Sequence, residues 1–251
     1  MEKYVDITAT IVLYKEDVKT LQKSIASFLS VQLNKKLYII DNSPTNILQE
    51  FCDFPDVEYV FVGKNIGFGS AHNLVIEKIN DRSKYHLILN PDVVFEPSVL
   101  PKLIKELENN LDAAMVSPKV LYPDDSQQYT CRKHPTFLEL IYRRLGFKKH
   151  FTRSQEYRDK DFSKAFFPDF IHGCFMLFKT QDFCNLNGFD ERYFLYLEDA
   201  DICKEIKQTG KKILYFPKVH ITHTHKRGSS KSTKLLVYHI VSAIKYAYKW
   251  R

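Results

Sequence analysis

The sequence predicts an α/β protein with an open, mostly parallel sheet, helices on both faces and a C-terminal helical extension. Short apolar runs rich in β-branched residues alternate with longer segments whose apolar residues recur at helical spacing, which is typical of β-α units. Crossover connections of this kind are right-handed, so we expect a doubly wound sheet. The length of 251 residues is sufficient for one sizeable core.

The expected elements alternate along the chain. Strands are predicted at residues 7–14, 37–40, 59–62, 86–89 and 114–117, and helices at residues 18–29, 69–79 and 98–110. Regularity weakens at about 121–167, where one helical patch is expected at residues 137–145. Later elements are predicted at residues 170–178, 198–208, 212–216, 219–225 and 235–251, with Gly210 as a C-cap and Pro217 as a strand end.

Composition narrows the class of protein. Apolar residues make up 44%, aromatic residues 14% and charged residues 27%, as in a folded globular chain. The five cysteines are odd in number and form no C-x-x-C pair, which favours buried thiols over a disulfide framework or a zinc site. We see no leader peptide and no apolar run near the roughly 20 residues that span a bilayer, so a cytoplasmic protein is expected.

Four polar side chains each follow a predicted strand. They are Tyr14, Asp41, Asn65 and Asp92. Because ligands of open α/β sheets bind beyond the carboxyl ends of the strands, we expect these residues to converge on one cleft.

A glycine-rich turn at residues 63–69 follows the third predicted strand. It is similar to a phosphate cradle, but its spacing is neither G-x-G-x-x-G nor that of a Walker loop. A tight turn that brings the backbone, including Gly67, and the side chain of Asn73 near a nucleotide fits the sequence better.

Asn90-Pro91-Asp92 ends the fourth predicted strand. An amide and a carboxylate two residues apart can hold Mg²⁺ or Mn²⁺ beside a diphosphate, since both ions prefer oxygen ligands. An Asx-Pro turn with no ligand is an equally good interpretation. His220, His223 and His225 lie on a later apolar stretch, where alternation lets one or two of them face the cleft and supply an imidazole ligand.

Three carboxylates, on Glu198, Asp199 and Asp201, fall within four positions. Acidic residues at a helix start are favoured by the helix dipole, so a purely structural role is one interpretation. The other is that one of the three, oriented by its neighbours, acts as a general base.

The order of these motifs resembles that of inverting GT-A glycosyltransferases of family 2, most closely their rhamnosyltransferase-like branch. The resemblance covers residues 7–230. Its matching segments are Asp41-Asn42-Ser43, residues 65–73, Leu89-Asn90-Pro91-Asp92, His172-Gly173-Cys174-Phe175-Met176, Gly188-Phe189-Asp190-Glu191, Glu198-Asp199-Ala200-Asp201-Ile202-Cys203, and Pro217 followed by His223. It implies a GT-A domain over residues 1–230, with an insertion at about 121–167, followed by a basic amphipathic helix at residues 231–251.

The resemblance also implies the site of the sugar donor. Asp41 is expected to hydrogen-bond the pyrimidine base, and Tyr14 to pack on the base or ribose. The remaining residues expected at this site are Asn65, Gly67, Asn73, Asn90 and Asp92.

Roles in the reaction follow from the same resemblance. Asp199 matches the catalytic base, while Gly173 and Glu198 fall on the acceptor side. Asp92 and His223 match the ligands of Mg²⁺ or Mn²⁺. Asn90 replaces the first Asp of the family's D-x-D motif and removes one charge from the metal site.

The implied enzyme transfers L-rhamnose from dTDP-L-rhamnose to a bacterial surface polysaccharide or its lipid-linked precursor. A UDP-hexose or a UDP-N-acetylhexosamine is the alternative sugar donor. A non-catalytic nucleotide-sugar binding module is the alternative from another class, and the intact Asp92 and Asp199 argue against it. No known nucleic-acid motif is present, which argues against a nucleic-acid partner.

The C-terminal segment is basic and amphipathic. Residues 226–251 carry seven Lys or Arg and no Asp or Glu, which equals the net charge of +7. One helical stripe contains Leu236, Val237, Ile240, Val241, Ile244, Ala247 and Tyr248. This pattern predicts docking on the inner face of the cytoplasmic membrane, with packing on the domain or a homodimer contact as alternatives.

Overall fold

A computed structural model describes residues 4–136, 155–224 and 233–251. The strands are β1 (Val5–Leu13), β2 (Lys35–Asp41), β3 (Val57–Phe61), β4 (Ser83–Leu89), β5 (Val93–Val94), β6 (Ala113–Leu121), β7 (Gln127–Gln128), β8 (Cys131–Arg132), β9 (Phe170–Ile171), β10 (Phe175–Lys179) and β11 (Lys212–His223). The α-helices are α1 (Val18–Leu29), α2 (Phe68–Asn73), α3 (Ile76–Ile79), α4 (Val99–Asn109), α5 (Thr180–Asn185), α6 (Glu198–Gln208) and α7 (Thr233–Lys249), and a 3₁₀ turn covers Gln49–Cys52.

The main sheet is open and mixed, which confirms the predicted fold class. Its strand order is β3-β2-β1-β4-β10-β6-β11-β5, with β7 paired to β6. The four strands from β3 to β4 are parallel, as predicted. β10 runs antiparallel to both of its neighbours, while β11 is parallel to β6. β8 and β9 form a separate antiparallel pair.

Helices cover both faces of the sheet, because alternate residues of the buried strands point to opposite sides. On one face, α1 and α4 bury residues such as Phe28 and Leu103 against the odd-numbered side chains of β1. On the other, α2, α3, α5 and α6 pack around Ile88 and Met176, and Tyr246 of α7 joins this second core. All five cysteines are free and buried.

Local signals set several boundaries. Asp17 caps α1 by accepting a hydrogen bond from the Thr20 N–H. Gly210 follows α6 with φ of +82°, the left-handed conformation expected of the predicted C-cap.

Two details differ from the sequence-based expectations. The helix predicted through residue 79 is two short helices, α2 and α3. Pro217 does not end a strand: β11 runs through it, with a register shift between Phe216 and His220 that accommodates a residue without an N–H. The helical patch at 137–145 lies outside the described residues, as does His225.

Candidate active site

A cavity of about 600 Å³ opens at the carboxyl edge of the parallel strands. Predicted site residues that line it are Tyr14, Asn65, Gly67, Asn90, Asp92 and His223. Three of the four residues expected to converge there, Tyr14, Asn65 and Asp92, do so. Segments far apart in the chain therefore meet at the edge where open α/β sheets bind ligands.

His223 and Asp92 form a pair in this cavity. β11 pairs with β5 so that His223 is opposite Val93, and the Thr224 N–H donates to the Asp92 carbonyl at 3.1 Å. This pairing brings the His223 Nε2 to 3.3 Å from the Asp92 Oδ1. His220 lies three residues before His223 on β11, and its side chain is exposed.

Gln128 fixes the orientation of the imidazole. Its Nε2 donates to two backbone carbonyls, those of His223 at 2.6 Å and Leu121 at 3.2 Å. The amide orientation is thereby set, so its Oε1 faces the His223 Nδ1 at 3.0 Å as an acceptor. With Nδ1 directed to Gln128, Nε2 is the nitrogen that faces the carboxylate. It carries a proton in the imidazolium form and offers its lone pair once that proton is lost.

The pair is suited to a cation. Burial by itself lowers the pKa of His223, but the adjacent Cys174 and Asp92 raise it more, to about 10. The imidazole thus holds a proton next to the carboxylate at neutral pH. Two ligands at right angles on an ion at about 2.1 Å would lie roughly 3 Å apart, close to the observed separation, so the two side chains fit Mg²⁺ or Mn²⁺.

Asn90 lies beside this pair at the end of β4. Its N–H donates to the Cys174 carbonyl at 3.0 Å, and its carbonyl accepts a hydrogen bond from Ser24 Oγ at 3.2 Å. The backbone at the start of the Asn90-Pro91-Asp92 motif is therefore held by the segment that leads into β10 and by helix α1.

The turn at Gly67 is closely packed. Asn65 Oδ1 accepts a hydrogen bond from the Gly67 N–H at 3.0 Å, and Asn42 Nδ2 donates to the Gly67 carbonyl at 3.0 Å. Gly67 has φ of +97°, and a Cβ there would lie 2.6 Å from the Phe194 carbonyl oxygen. Only glycine satisfies both constraints, so the turn and the segment around Phe194 form one wall of the cavity.

Asp199 lies in the first turn of α6, half-buried. Its Oδ2 accepts a hydrogen bond from the Gly173 N–H at 3.1 Å and its Oδ1 one from the Ala200 N–H at 2.8 Å. Burial raises the pKa of Asp199 above its ordinary value, and these N–H groups oppose the shift without cancelling it. A fixed carboxylate with a raised pKa has the properties of a general base.

Asp199 does not line the cavity itself, and neither do Gly173 and Glu198, the residues predicted to contact the acceptor. Phe68, which does, connects them to it: a Cβ on Gly173 would lie 3.6 Å from the Phe68 ring and 3.5 Å from the Asp199 Cβ. The carboxylate is thus one aromatic ring away from the cavity.

Glu198 and Asp201 differ from Asp199. Glu198 is 7% exposed, and its Oε2 has no hydrogen-bond partner in the described part of the chain. Burial, with the charge of Asp199, raises the pKa of Glu198 to about 8. Asp201 is fully buried and bonded to the C-terminal residues Lys249 and Trp250. Its role is structural.

Two residues expected to bind the sugar donor lie outside the cavity lining. Asp41 shares the pleat of Ile39 and is 0% exposed, and its carboxylate accepts hydrogen bonds from the Tyr59 hydroxyl and the Ser43 N–H. Asn73 binds the backbone of Phe189, donating to its carbonyl at 2.7 Å and accepting from its N–H at 2.8 Å. Both side chains form hydrogen bonds within the protein, and their contact with the sugar donor stays a prediction.

Some lining residues were missed from the sequence. α7 contributes Lys234, Leu235 and Tyr238 to the cavity wall. Gln128, which orients His223 without lining the cavity, was also missed, because a single Gln in this stretch matches no known motif. The amphipathic pattern of α7 indicated a helix but not which residues would reach the site.

Comparisons with known proteins agree with this geometry. The family model for glycosyl transferase family 2 matches residues 8–182, and one for the N-terminal domain of galactosyltransferase matches residues 159–227. The chain is 28% identical over 221 residues to "Rhamnosyltransferase WbbL" of Escherichia coli K12, covering 84% of this chain and 81% of that protein. It is 25% identical over 213 residues to "N-acetylglucosaminyl-diphospho-decaprenol L-rhamnosyltransferase" of Mycobacterium tuberculosis H37Rv, covering 79% and 68%.

Solved structures share the fold at low sequence identity. GalNAc-T7, crystallised with UDP, GalNAc and Mn²⁺, superposes with a TM-score of 0.70 at 15% identity. The match covers 98% of this chain and 50% of that one. The mannosyltransferase PcManGT of Pyrobaculum calidifontis, with GDP-Man and Mn²⁺, gives 0.64 at 17% identity, covering 96% and 65%.

The family match extends over more than half of the chain. The chain therefore belongs to glycosyl transferase family 2, with a GT-A fold, and is a glycosyltransferase.

Proposed function

We propose that this glycosyltransferase moves L-rhamnose from dTDP-L-rhamnose to a bacterial surface polysaccharide or its lipid-linked precursor, with inversion at the anomeric carbon. The observation that carries the reaction type is the presence of two separate centres, the Asp92–His223 pair in the cavity and Asp199 beyond Phe68. The rhamnosyl donor is supported by two relatives whose names specify rhamnosyl transfer.

The first centre serves the leaving group. Asp92 and His223 would hold Mg²⁺ or Mn²⁺, which offsets the negative charge that develops on the diphosphate when the sugar departs. Tyr14, Asn65, Gly67 and Asn90 shape the rest of this end of the cavity.

The second centre serves the acceptor. Asp199 takes the proton from an acceptor hydroxyl as its oxygen bonds to the anomeric carbon and the bond to the diphosphate oxygen breaks. One carboxylate is sufficient for a direct displacement, and no covalent nucleophile is needed. Glu198 and Gly173 lie next to the base, on the side from which the acceptor approaches.

The experiment is a screen of nucleotide sugars for hydrolysis and transfer with Mg²⁺ or Mn²⁺. We expect dTDP-L-rhamnose to be turned over at least about tenfold more efficiently than any UDP-sugar, a difference of about 1.4 kcal/mol in transition-state binding. Preference for a UDP-hexose or a UDP-N-acetylhexosamine would replace the donor assignment. Binding without turnover of any sugar would support the non-catalytic module.

We also propose that α7 brings the enzyme to an anionic membrane surface, where a lipid-linked acceptor would be found. Within the described residues, no helix is both long and apolar enough to cross a membrane. Five apolar side chains on the outer face of α7 are 40–69% exposed: Val237, Ile240, Val241, Ile244 and Tyr248. An apolar stripe on a basic segment is typical of an interfacial helix.

Vesicle flotation tests the membrane role without removing the helix. Ile244→Glu places a charge in the stripe, and Leu111→Glu makes the same change at another exposed apolar residue, after α4. We expect the wild type and Leu111→Glu to float with vesicles rich in anionic phospholipid, and Ile244→Glu to stay behind. If no form floats but Ile244→Glu converts a dimer to a monomer, the stripe is a homodimer contact.

A further inference from the structure

The C-terminal helix α7 contacts the segment that leads into the catalytic helix α6. The ring of Tyr238 packs on Phe194 with centroids 4.5 Å apart. Ser242 Oγ donates to the Leu195 carbonyl at 2.8 Å, and Lys245 Nζ donates to the Arg192 carbonyl at 2.6 Å. Three consecutive turns of α7 therefore contact residues 192–195 of this segment.

The backbone of that segment is strained where it joins α6. Tyr196 and Leu197 both have positive φ, 72° and 68°, and neither is glycine. Such residues cost about 1–3 kcal/mol each and persist only where surrounding contacts hold them. Because Asp199 comes two residues later, the direction in which its carboxylate points depends on this pair of left-handed residues.

α7 also binds Asp201, which lies two residues after Asp199. Lys249 Nζ lies among three carboxylates, 2.8 Å from Asp190 and 2.6 Å from both Asp201 and Glu205. The ligand atoms of these carboxylates lie within 4.8 Å of one another, a spacing that could hold a metal ion, but the ammonium group occupies the space between them. Asp201 is fully buried, so its charge requires such a partner.

Trp250 completes the contact. Its Nε1 donates to Asp201 Oδ1 at 2.7 Å, and the Tyr193 hydroxyl donates to the same oxygen at 3.0 Å. Leu195, four residues before the base, and Asp201, two residues after it, are thus both bound by one helix that also lines the cavity through Tyr238.

We propose that α7 is part of the catalytic apparatus, and that Ser242 and Lys249 are positioning residues that hold the Asp199 carboxylate in its working orientation. This role rests on the proposed function of Asp199 as the base. It goes further, because it gives the C-terminal helix a part in the chemical step in addition to any role in docking.

The test compares steady-state kinetics of full-length variants. Ser242→Ala removes the hydrogen bond to the Leu195 carbonyl, and Ser30→Ala is its matched control because it removes a serine hydrogen bond of the same length, 2.8 Å, to the Ser27 carbonyl at the end of α1. Lys249→Met removes the cation, and Lys249→Arg restores it. A small displacement of a catalytic group can cost up to about a hundredfold in rate, so we expect kcat to fall at least about tenfold in Ser242→Ala and Lys249→Met.

Kinetics distinguish a positioning role from a structural one, because loss of positioning lowers kcat and leaves KM nearly unchanged. We expect the KM for the nucleotide sugar to stay within about threefold, since neither residue lines the cavity, while kcat recovers in Lys249→Arg and is unchanged in Ser30→Ala. Wild-type kcat in folded Ser242→Ala and Lys249→Met would overturn the proposal. If Lys249→Met does not fold, Ser242→Ala decides alone.

Trp250 provides a direct readout of docking, since it is the only tryptophan in the chain. We expect the emission of Trp250 to shift to the red in Lys249→Met and to return in Lys249→Arg, in parallel with kcat. A red shift with unchanged kcat would also overturn the proposal.

Asp199→Asn distinguishes failure of the positioning role from failure of the proposed function. If it is inactive while the α7 variants behave as wild type, the base assignment stands and the positioning role fails. If Asp199→Asn is active, the proposed function itself is wrong.

Discussion

The Nε2 of His223 and the Oδ1 of Asp92 face each other across 3.3 Å, at the point where β11 and β5 meet. With the Nδ1 proton directed to Gln128, both facing atoms would offer lone pairs to a cation once Nε2 has lost its proton. A proton satisfies the pair in the free enzyme, and in the proposed function Mg²⁺ or Mn²⁺ would take its place.

Asp92→Ala should weaken metal-dependent binding of the nucleotide sugar by more than roughly a hundredfold. Loss of a residue that only hydrogen-bonds to a metal ligand costs up to about a hundredfold in metal affinity, and loss of a ligand itself should cost more. In the proposed arrangement, Asp92 would hold the diphosphate only through the cation. Titration calorimetry with and without Mn²⁺ measures the effect. If wild-type transfer is indifferent to EDTA, the metal role is wrong and basic side chains such as Lys234 must neutralise the diphosphate.

Gln128→Ala should lower the affinity for Mn²⁺ about 10–100-fold, because the His223 ring loses the acceptor that fixes its tautomer and orientation. Gln127→Ala is the matched control, as Gln127 precedes Gln128 on β7 and points to the other face. Manganese titration followed by electron paramagnetic resonance measures free Mn²⁺ directly. Equal affinities in the two variants would remove Gln128 from the site.

Asp199→Asn should abolish sugar transfer while the affinity for the nucleotide sugar stays within about threefold, since the base acts on the acceptor. The amide keeps the size of the side chain and its contact with the Gly173 N–H through oxygen. Single-turnover transfer, together with binding of the sugar donor, checks both parts. Transfer at a tenth or more of the wild-type rate would exclude Asp199 as the base.

Stability should depend on pH through Glu198. Burial raises its pKa from 4.5 to about 8, so between these values the folded protein retains a proton that the unfolded chain has lost. The free energy of unfolding therefore falls as pH rises from about 5 to about 8, by at most about 1.4 kcal/mol per pH unit from this group.

Glu198→Gln, which cannot ionise, should lose that dependence and be more stable than the wild type at pH 8. Urea denaturation at pH 5 and pH 8 measures the difference. The same slope in both proteins would mean that Glu198 is ionised in the folded state.

Gly67→Ala should destabilise the protein by several kcal/mol. It adds a Cβ 2.6 Å from the Phe194 carbonyl oxygen at a residue with φ of +97°. Gly210→Ala is the control, because Gly210 has a similar φ of +82° but nothing within 4 Å of an added Cβ. We expect Gly210→Ala to cost only about 1–2 kcal/mol. Equal losses would show that φ alone accounts for the effect.

The sequence was sufficient for the fold class and for most element positions. Apolar runs rich in β-branched residues favour buried strands such as β1, and the helical spacing of residues such as Leu21 and Ile25 produces an amphipathic helix. Both signals are local, so they do not require knowledge of the partner. The location of Asp92 and Asn65 at the cavity follows from the same local signals, since each residue comes after a strand.

Contacts between distant segments could not be predicted in this way. His223 and Gln128 are 95 residues apart, and the pairing of β6 with both β7 and β11 brings them together. Asp41 is the last residue of β2, and its position in the pleat directs the carboxylate away from the cavity and towards Tyr59.

The C-terminal helix shows the same division. Its sequence determined which side chains share a face, because that depends only on helical periodicity. Only the tertiary structure decided which face packs on the domain, and it is the one carrying Ser242, Tyr246 and Lys249, while the apolar stripe stays exposed. The physical reason is electrostatic: the buried Asp201 and its acidic neighbours require a cation, and Lys249 supplies it from that face.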